Sequence, residues 1–315
     1  MIISLLDCND KTFVESIRVA FKDYKVVLID STSANDFIEV FFDSDYIITG
    51  RKYKITRNII EKLTKCKTII RNGVGYDNID IIAARQHGID VFNISDYCID
   101  DVAEHTLGLL LTYTRNLPRY IFKDDILALK WGNPTYNSLR IKGKKFGIVG
   151  MGNIGRAVAK RVEALGLVIS YFDPNVNDVG YKKFDNLNKL FQNSDIVSIH
   201  VPMNAETKGF IDMSAIKNCK NIILINTSRG GVINYNDILT GLKIGSIRAF
   251  LTDVLDVEPP INNPIFNEYI DKNSPLSNRI IITPHIAFSS WESSMDLITN
   301  VIAIINDKSS FSPIN

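Results

Sequence analysis

The stretch GIVGMGNIGRA at residues 147–157 constrains the fold of this chain more than any other. Its glycines, Gly150, Gly152 and Gly155, follow a short apolar run and precede RAVAKRVEALG, in which apolar residues recur at helical spacing. A second apolar run, LVISYF, then ends at Asp173. Strand, glycine turn, helix, strand and acid in this order predict a dinucleotide-binding unit. Without these flanks, the three glycines would fit a turn in some other α/β protein equally well.

Each part of this unit has a physical role. Gly150 permits the tight turn, Gly152 lets the backbone approach a pyrophosphate, and Gly155 lets the helix pack close to the strand. The helix N-terminus offers N–H groups and a partial positive charge to the phosphates. Asp173 can accept hydrogen bonds from both ribose hydroxyls, whereas a 2′-phosphate would meet a like charge. The sequence therefore predicts NAD rather than NADP.

Strand-like and helical segments alternate along the chain in two blocks, which predicts an α/β protein with parallel sheets. A length of 315 residues with 45% hydrophobic residues suits two domains. The segment at 100–119, which contains VAEHTLGLLL, predicts a buried helix between the blocks. The second block contains six strand-like runs, enough for a full doubly wound sheet.

Composition excludes several classes of function. A net charge of +1 argues against a nucleic-acid partner, which would require a basic surface. The apolar stretches are too short to span a bilayer, and the first residues do not resemble a signal peptide, so we expect no membrane association and a cytoplasmic location. Four scattered cysteines and four histidines show no metal-binding spacing, so we expect no metal.

Further segments resemble, in the same order, motifs of the D-isomer-specific 2-hydroxyacid dehydrogenase family. The resemblance leans toward its phosphoglycerate dehydrogenase-like and C-terminal-binding-protein-like branch. It implies a Rossmann NAD-binding domain at 100–286, inserted into a flavodoxin-like substrate-binding domain formed by 1–99 and 287–315. The matching segments are RNGVGYDNIDIIAARQHGI, VAEHTLGLLL, SDIVSIHVPMNAETKGFI, ILINTSRGGVIN, TDVLDVEP and ITPHIA.

Three residues match the catalytic positions of that family. Arg229 would bind the substrate carboxylate and the carbonyl oxygen through its planar guanidinium. His285 would give or take the hydroxyl proton, and Glu258 would bind the other imidazole nitrogen. Each residue alone reads as an ordinary loop residue, but all three follow predicted strands, where α/β sheets bind their ligands.

The resemblance also assigns contacts around these three residues. Thr106 would approach the nicotinamide ribose or a phosphate, and Asp253 would bind the nicotinamide carboxamide. In the 71–89 segment, Asn72 would border a substrate loop whose N–H groups at Val74 and Gly75 bind the carboxylate. The other expected coenzyme contacts are Asn153, Ile154, Val201, Pro202, Thr207 and Thr227. Thr252 stands where relatives more often have a small or apolar residue.

The sequence leaves the substrate open. The resemblance implies reversible hydride transfer between NAD(H) and a small 2-oxo or 2-hydroxy acid of the D series, such as 3-phosphoglycerate, hydroxypyruvate or glyoxylate. A phosphorylated substrate would need cations, and Arg51, Lys52 and Arg71 are the candidates. It also implies a homodimer formed through the NAD domain. The alternative is an NAD(H)-sensing binding protein of the same family with little turnover.

Overall fold

The computed structural model describes residues 1–29, 41–118 and 138–315. Contacts between α-carbons divide the chain into two compact units. The first unit comprises Met1–Cys98 and Ser289–Asn315, and the second comprises Ile99–Phe288.

The strands of both units are short and largely buried. In chain order they are β1 (Ile2–Leu6), β2 (Lys25–Ile29), β3 (Tyr46–Thr49), β4 (Thr68–Arg71), β5 (Asp90–Asn93), β6 (Lys145–Val149), β7 (Val168–Phe172), β8 (Lys182–Lys183), β9 (Ile196–Ile199), β10 (Ile222–Asn226), β11 (Ile247–Thr252) and β12 (Ile280–Ile282).

The helices of the described residues separate most of these strands. They are α1 (Lys11–Ala20), α2 (Arg57–Ile60), α3 (Ile81–Gln86), α4 (Ile99–Thr114), α5 (Asn153–Ala164), α6 (Leu187–Gln192), α7 (Met213–Ile216), α8 (Tyr235–Ile244), α9 (Pro264–Ile270) and α10 (Trp291–Asn306). Within the parts of the chain that the structure describes, none of them is long and apolar enough to cross a membrane.

The first unit is built on a parallel sheet with the strand order β2-β1-β3-β4-β5. This is the flavodoxin-like order 2-1-3-4-5. Helices cover the sheet, so its central strands are almost continuous apolar runs. On one side, Ile3, Leu5 and Ile48 belong to a core shared with α1 and with Val301 of α10. The C-terminal helix therefore completes the core of the first unit.

The second unit is built on a parallel sheet with the order β12-β11-β10-β9-β6-β7-β8. Counted from β6, this is the doubly wound order 3-2-1-4-5-6 extended by a seventh strand. The seventh strand in this count is β12. The strand that the sequence did not predict is β8, because it is a polar, two-residue pairing at the sheet edge. All five residues of β10 are buried, as expected for a strand covered on both faces.

These two sheets confirm the expected fold class, α/β with a Rossmann unit and a flavodoxin-like unit. In the second unit the strand order reverses between β6 and β9. Ligands of such sheets bind at the carboxyl ends of the strands beside this reversal. Adjacent strands β10, β11 and β12 also end at this edge because the sheet is parallel.

Candidate active site

The glycine turn joins β6 to the N-terminus of α5. The N–H of Gly150 donates to the carbonyl of Phe172 at 2.9 Å, which anchors the turn to β7. A Cβ on Gly155 would lie only 2.1 Å from the carbonyl oxygen of Gly150, so no side chain fits between helix and turn. A Cβ on Gly152, by contrast, would meet nothing within 4 Å. The turn is therefore tightly packed on its inner side and open at the helix terminus.

This open terminus suits a diphosphate. Gly152 is the N-cap of α5, and no side chain caps the helix there. Asn153 and Ile154, the first two helical residues, are exposed and half-buried, respectively. N–H groups at an uncapped helix terminus attract phosphate oxygens.

Asp173 directly follows β7 and lies against the glycine turn. One carboxylate oxygen accepts the N–H of Met151 at 2.8 Å, and the other accepts the N–H of Asn175 at 2.8 Å. These two bonds fix the carboxylate beside the turn, where an adenosine ribose would lie in a dinucleotide fold. The residues of this edge therefore fit a dinucleotide with a free 2′-hydroxyl.

The other predicted coenzyme contacts fall into two groups. The hydroxyl of Thr106 on α4 lies 2.9 Å from the hydroxyl of Thr227 after β10, and both residues are buried. Val201 and Pro202 follow β9, where the hydroxyl of Thr207 donates to the carbonyl of Pro202 at 2.6 Å and closes the loop. The structure thus brings Thr106 to Thr227 and Thr207 to Pro202.

His200 directly follows β9 and packs against the glycine turn, because a Cβ on Gly150 would lie 2.7 Å from its carbonyl oxygen. Its Nε2 lies 2.8 Å from the hydroxyl of Ser198, and its Nδ1 is buried without a hydrogen-bond partner among the described residues. Burial lowers the pKa of His200 to about 3. The ring is therefore neutral at physiological pH.

The loops after β11 and β12 bring a carboxylate to an imidazole. Nδ1 of His285 lies 2.7 Å from one carboxylate oxygen of Glu258. The other oxygen of Glu258 accepts the N–H of Leu255 at 3.0 Å, which anchors the carboxylate to its own loop. The side chain of His285 is 18% exposed. Because Glu258 occupies Nδ1, Nε2 is the nitrogen that can exchange a proton with a ligand.

Arg229 lies in the loop after β10, and the buried amide of Asn226 holds that loop. Asn226 donates to the carbonyl of Arg229 at 3.0 Å and accepts the N–H and the hydroxyl of Ser228 at 3.1 and 2.8 Å. The next residue, Gly230, packs on the loop after β11, because a Cβ there would lie 2.0 Å from the carbonyl carbon of Leu255. The loops that carry Arg229 and Glu258 are therefore packed backbone to backbone.

Asp253, the first residue after β11, is buried and does not present its carboxylate to solvent. Both of its oxygens accept hydrogen bonds from the turn that carries His285, namely from Thr283, Ile286 and Ala287. His105 on α4 approaches the same group through Thr283. Thr283, Asn226 and His105 were not predicted as site residues. Their positions at strand ends or on α4 were the only signal available.

The predicted substrate loop lies in the first unit, after β4. The N–H of Asn72 donates to the carbonyl of Thr49, and Asn93 donates to the carbonyl of Val74 at 2.6 Å. Within the described residues, the N–H groups of Val74 and Gly75 make no hydrogen bond. N–H groups left open in a turn can bind a carboxylate.

No group of His, Cys, Asp and Glu side chains in the described residues could hold a metal ion. The arrangement supplies instead a guanidinium, an imidazole held by a carboxylate, and an open helix terminus. A guanidinium and an imidazole can bind an acid and move its hydroxyl proton.

Comparison with known proteins gives a consistent result. Residues 107–287 match the family model described as D-isomer specific 2-hydroxyacid dehydrogenase, NAD binding domain. The D-3-phosphoglycerate dehydrogenase of Methanocaldococcus jannaschii is 33% identical over 290 residues, which cover 90% of this chain and 53% of that protein. The chain thus spans about half the length of such relatives.

Two other proteins match this chain over almost their entire length. The hydroxypyruvate reductase of Thermotoga maritima is 32% identical over 287 residues, which cover 90% of this chain and 91% of that protein. The solved structure of an acyclic imino acid reductase in complex with NADPH and D-Arg superposes with a TM-score of 0.86 and 25% identity. That superposition covers 100% of this chain and 99% of the reductase.

Proposed function

Because this chain belongs to the D-isomer-specific 2-hydroxyacid dehydrogenase family, we propose that it catalyses reversible hydride transfer between NAD(H) and a small 2-oxo or D-2-hydroxy acid. The observation that carries the proposal is the 2.7 Å contact between His285 and Glu258 at the carboxyl edge of the sheet. Arg229 follows the strand adjacent to β11 and supplies the cation at this edge. An acid–base pair beside a cation is what an oxo acid requires.

The residues would act as follows during reduction. Arg229 binds carboxylate and carbonyl oxygens through its planar guanidinium and draws electron density from the carbonyl carbon. NADH, when bound, supplies the hydride. His285 donates the proton on Nε2 to the carbonyl oxygen, while Glu258 holds Nδ1 and stabilises the ring orientation. In oxidation, neutral His285 accepts the hydroxyl proton at the same nitrogen.

We place the coenzyme on the second unit. The uncapped α5 terminus would hold the diphosphate, and Asp173 would accept the ribose hydroxyls. Thr106, Val201, Pro202, Thr207 and Thr227 would line its remaining length. We propose NAD rather than NADP because the Asp173 carboxylate would repel a 2′-phosphate.

For the substrate we propose a three-carbon oxo acid, hydroxypyruvate or its 3-phosphate. The relatives named hydroxypyruvate reductase and D-3-phosphoglycerate dehydrogenase support this proposal, because both names describe the same carbon skeleton with or without phosphate. In the first unit, Asn72 and the N–H groups of Val74 and Gly75 would bind the carboxylate. Arg51 and Lys52 are exposed and are the proposed phosphate ligands, whereas Arg71 is buried under the loop.

The experiment is a coupled activity and binding measurement. NADH oxidation by the purified protein is followed with glyoxylate, pyruvate, hydroxypyruvate, 3-phosphohydroxypyruvate and a branched 2-oxo acid. His285→Ala should abolish turnover, whereas the matched His87→Ala, on a helix end of the first unit, should retain it. An Arg51→Ala/Lys52→Ala variant should lose only the phosphorylated acid. Tight NADH binding without turnover of any acid would replace the proposal with a coenzyme-sensing role.

The family resemblance also implies a cytoplasmic homodimer formed through the NAD domain. We keep this as a proposal. Light scattering after size-exclusion chromatography should give a mass near 71 kDa, twice the 35.4 kDa of one chain. A mass of one chain would contradict it.

A further inference from the structure

Asp253 binds three consecutive backbone N–H groups of the turn that carries His285. Its carbonyl oxygen accepts the N–H of His285 at 2.8 Å. Its carboxylate accepts the N–H of Ile286 at 3.0 Å through one oxygen and that of Ala287 at 2.8 Å through the other. Thr283 adds a hydroxyl that donates to the first of these oxygens at 2.5 Å. One buried residue therefore determines the path of the whole turn.

The turn needs such support because His285 has an unfavourable backbone conformation. Its φ angle is +56°, in the left-handed region that residues with a Cβ seldom occupy. A conformation of this kind persists only where the surrounding structure imposes it. The hydrogen bonds to Asp253 lie on His285 itself and on the two residues that follow it. They are thus placed to impose the conformation that carries the imidazole toward Glu258.

A second layer of side chains, which includes His105 of α4, supports the carboxylate. Nε2 of His105 on α4 lies 2.9 Å from the hydroxyl of Thr283. Since that hydroxyl gives its proton to Asp253, it can only accept from His105, so Nε2 of His105 carries a hydrogen. His105 Nε2 also lies 3.6 Å from the nearer carboxylate oxygen of Asp253. His105, Thr283 and Asp253 thus form a directed chain of donors that ends on the carboxylate.

We propose that Asp253 is a positioning residue that fixes the His285 imidazole by clamping residues 285–287, with Thr283 and His105 orienting its carboxylate. The catalytic consequence rests on the proposed function, but the clamp itself does not. A direct bond to the coenzyme carboxamide, which the sequence resemblance implied, is a separate role for the same carboxylate. The clamp accounts for the burial of the Asp253 side chain, which is only 1% exposed, and for the three bonds to its carboxylate. The oxygen that binds Ala287 keeps an acceptor position, so experiment has to separate the two roles.

The central variant is Asp253→Asn, which keeps the shape but replaces one acceptor with a donor facing an N–H group. The matched control is Asp212→Asn, since Asp212 likewise accepts the hydroxyl and N–H of Ser214 and the N–H of Ala215, away from the site. Hydrogen exchange is measured for the amides of 285–287, NADH affinity by fluorescence, and kcat with the best acid of the panel. Thr283→Val and Thr283→Ser are measured in the same way.

We expect Asp253→Asn to accelerate exchange at 285–287 at least 10-fold, to lower kcat 10- to 100-fold, and to change the NADH dissociation constant less than 3-fold. Thr283→Val should show the same changes more weakly. Thr283→Ser, which keeps the hydroxyl, should behave like the wild-type protein. Unchanged exchange at 285–287 with NADH affinity weakened more than 10-fold would overturn the clamp in favour of direct coenzyme binding.

Two further results remain interpretable. If Asp253→Asn does not fold, the comparison of Thr283→Val with Thr283→Ser decides between the clamp and direct coenzyme binding. If the wild-type protein turns over no acid, the exchange data still test the clamp, while the activity panel alone rejects the proposed function. A wild-type pattern in the Thr283→Val exchange data would then overturn the clamp.

Discussion

Glu258 bonds the imidazole of His285 with one carboxylate oxygen and the N–H of Leu255 with the other. The first bond is 2.7 Å long, and the second, at 3.0 Å, ties the carboxylate to its own loop. The carboxylate therefore bridges the loop after β11 and the turn after β12. The imidazole is thereby oriented by a group whose own orientation is fixed.

Replacing Glu258 with Gln should therefore uncouple the ring from its loop. The amide oxygen of Gln can accept either the N–H of Leu255 or that of His285 Nδ1. The NH₂ group then points at the other N–H, so one of the two hydrogen bonds is lost. We expect kcat to fall about 100-fold, within the usual range for losing oriented acid–base catalysis, with a smaller change in KM. Steady-state kinetics at saturating NADH measure this. Glu61→Gln, on the surface of the first unit, is the control, and an equal loss there would contradict the assigned role.

Replacing Asp173 with Asn should weaken the preference for NADH over NADPH. Asn keeps an acceptor for the N–H of Met151 but loses the one for the N–H of Asn175, and it removes the charge that repels a 2′-phosphate. We expect the ratio of kcat/KM for NADH to that for NADPH to fall about 10-fold, which corresponds to about 1.4 kcal/mol. Fluorescence titration with both coenzymes gives an independent measure. Asp178→Asn, further along the same loop, should leave the ratio unchanged.

His200 should make stability depend on pH below neutrality. Burial lowers its pKa to about 3 in the folded protein, whereas the unfolded chain binds a proton near the ordinary value of 6.5. Between these values the unfolded state holds more protons, so the free energy of unfolding falls as pH falls, and the stabilisation is complete only above 6.5.

This single group contributes at most about 1.4 kcal/mol per pH unit. His200→Gln should accordingly reduce the pH dependence of the free energy of unfolding in urea between pH 6.5 and 4. His87→Gln is the matched control and should leave that dependence unchanged. An undiminished slope in His200→Gln would show that other groups produce the pH dependence.

Thr252 should contribute to stability through its hydroxyl. The hydroxyl is fully buried and lies 3.0 Å from the carbonyl of Asn226 and 2.7 Å from that of Val254. It thus joins the ends of β10 and β11. We expect Thr252→Val to lower the free energy of unfolding by about 1–2 kcal/mol, and Thr252→Ser to lower it by less. Urea denaturation monitored by circular dichroism tests this order, and the reverse order would show that the methyl group matters more.

The sheets were predictable because their strands are apolar runs bounded by polar or glycine-containing turns. The apolar runs on either side of the glycine turn and its helix, together with Asp173, predicted β6, α5 and β7 of the dinucleotide unit. β8 could not be predicted, since Lys182 and Lys183 form an edge pairing without any apolar signal. Pairing of this kind depends on the neighbouring strand rather than on the local sequence.

The site was predictable at the level of strand ends but not at the level of hydrogen bonds. Glu258 and His285 each follow a strand, and the parallel topology brings such residues to one edge. The contacts of Asp253 with Ile286 and Ala287 involve backbone N–H groups more than thirty residues away, which no side-chain pattern encodes. The positive φ of His285 was equally hidden, because histidine, although enriched among the non-glycine residues with positive φ, adopts that conformation only in a minority of cases.

The division of residues between the two units has an evolutionary consequence. Arg229, Glu258 and His285 all lie within Ile99–Phe288, whereas Arg51 and Lys52, the proposed phosphate ligands, lie within Met1–Cys98. Under the proposed function, mutations that change which acid is accepted can accumulate in the first unit without touching the proton-transfer pair. Selection can therefore act on selectivity and on reactivity as separate traits. Such a chain can acquire a new substrate by single substitutions in one unit, while the other retains its chemistry intact.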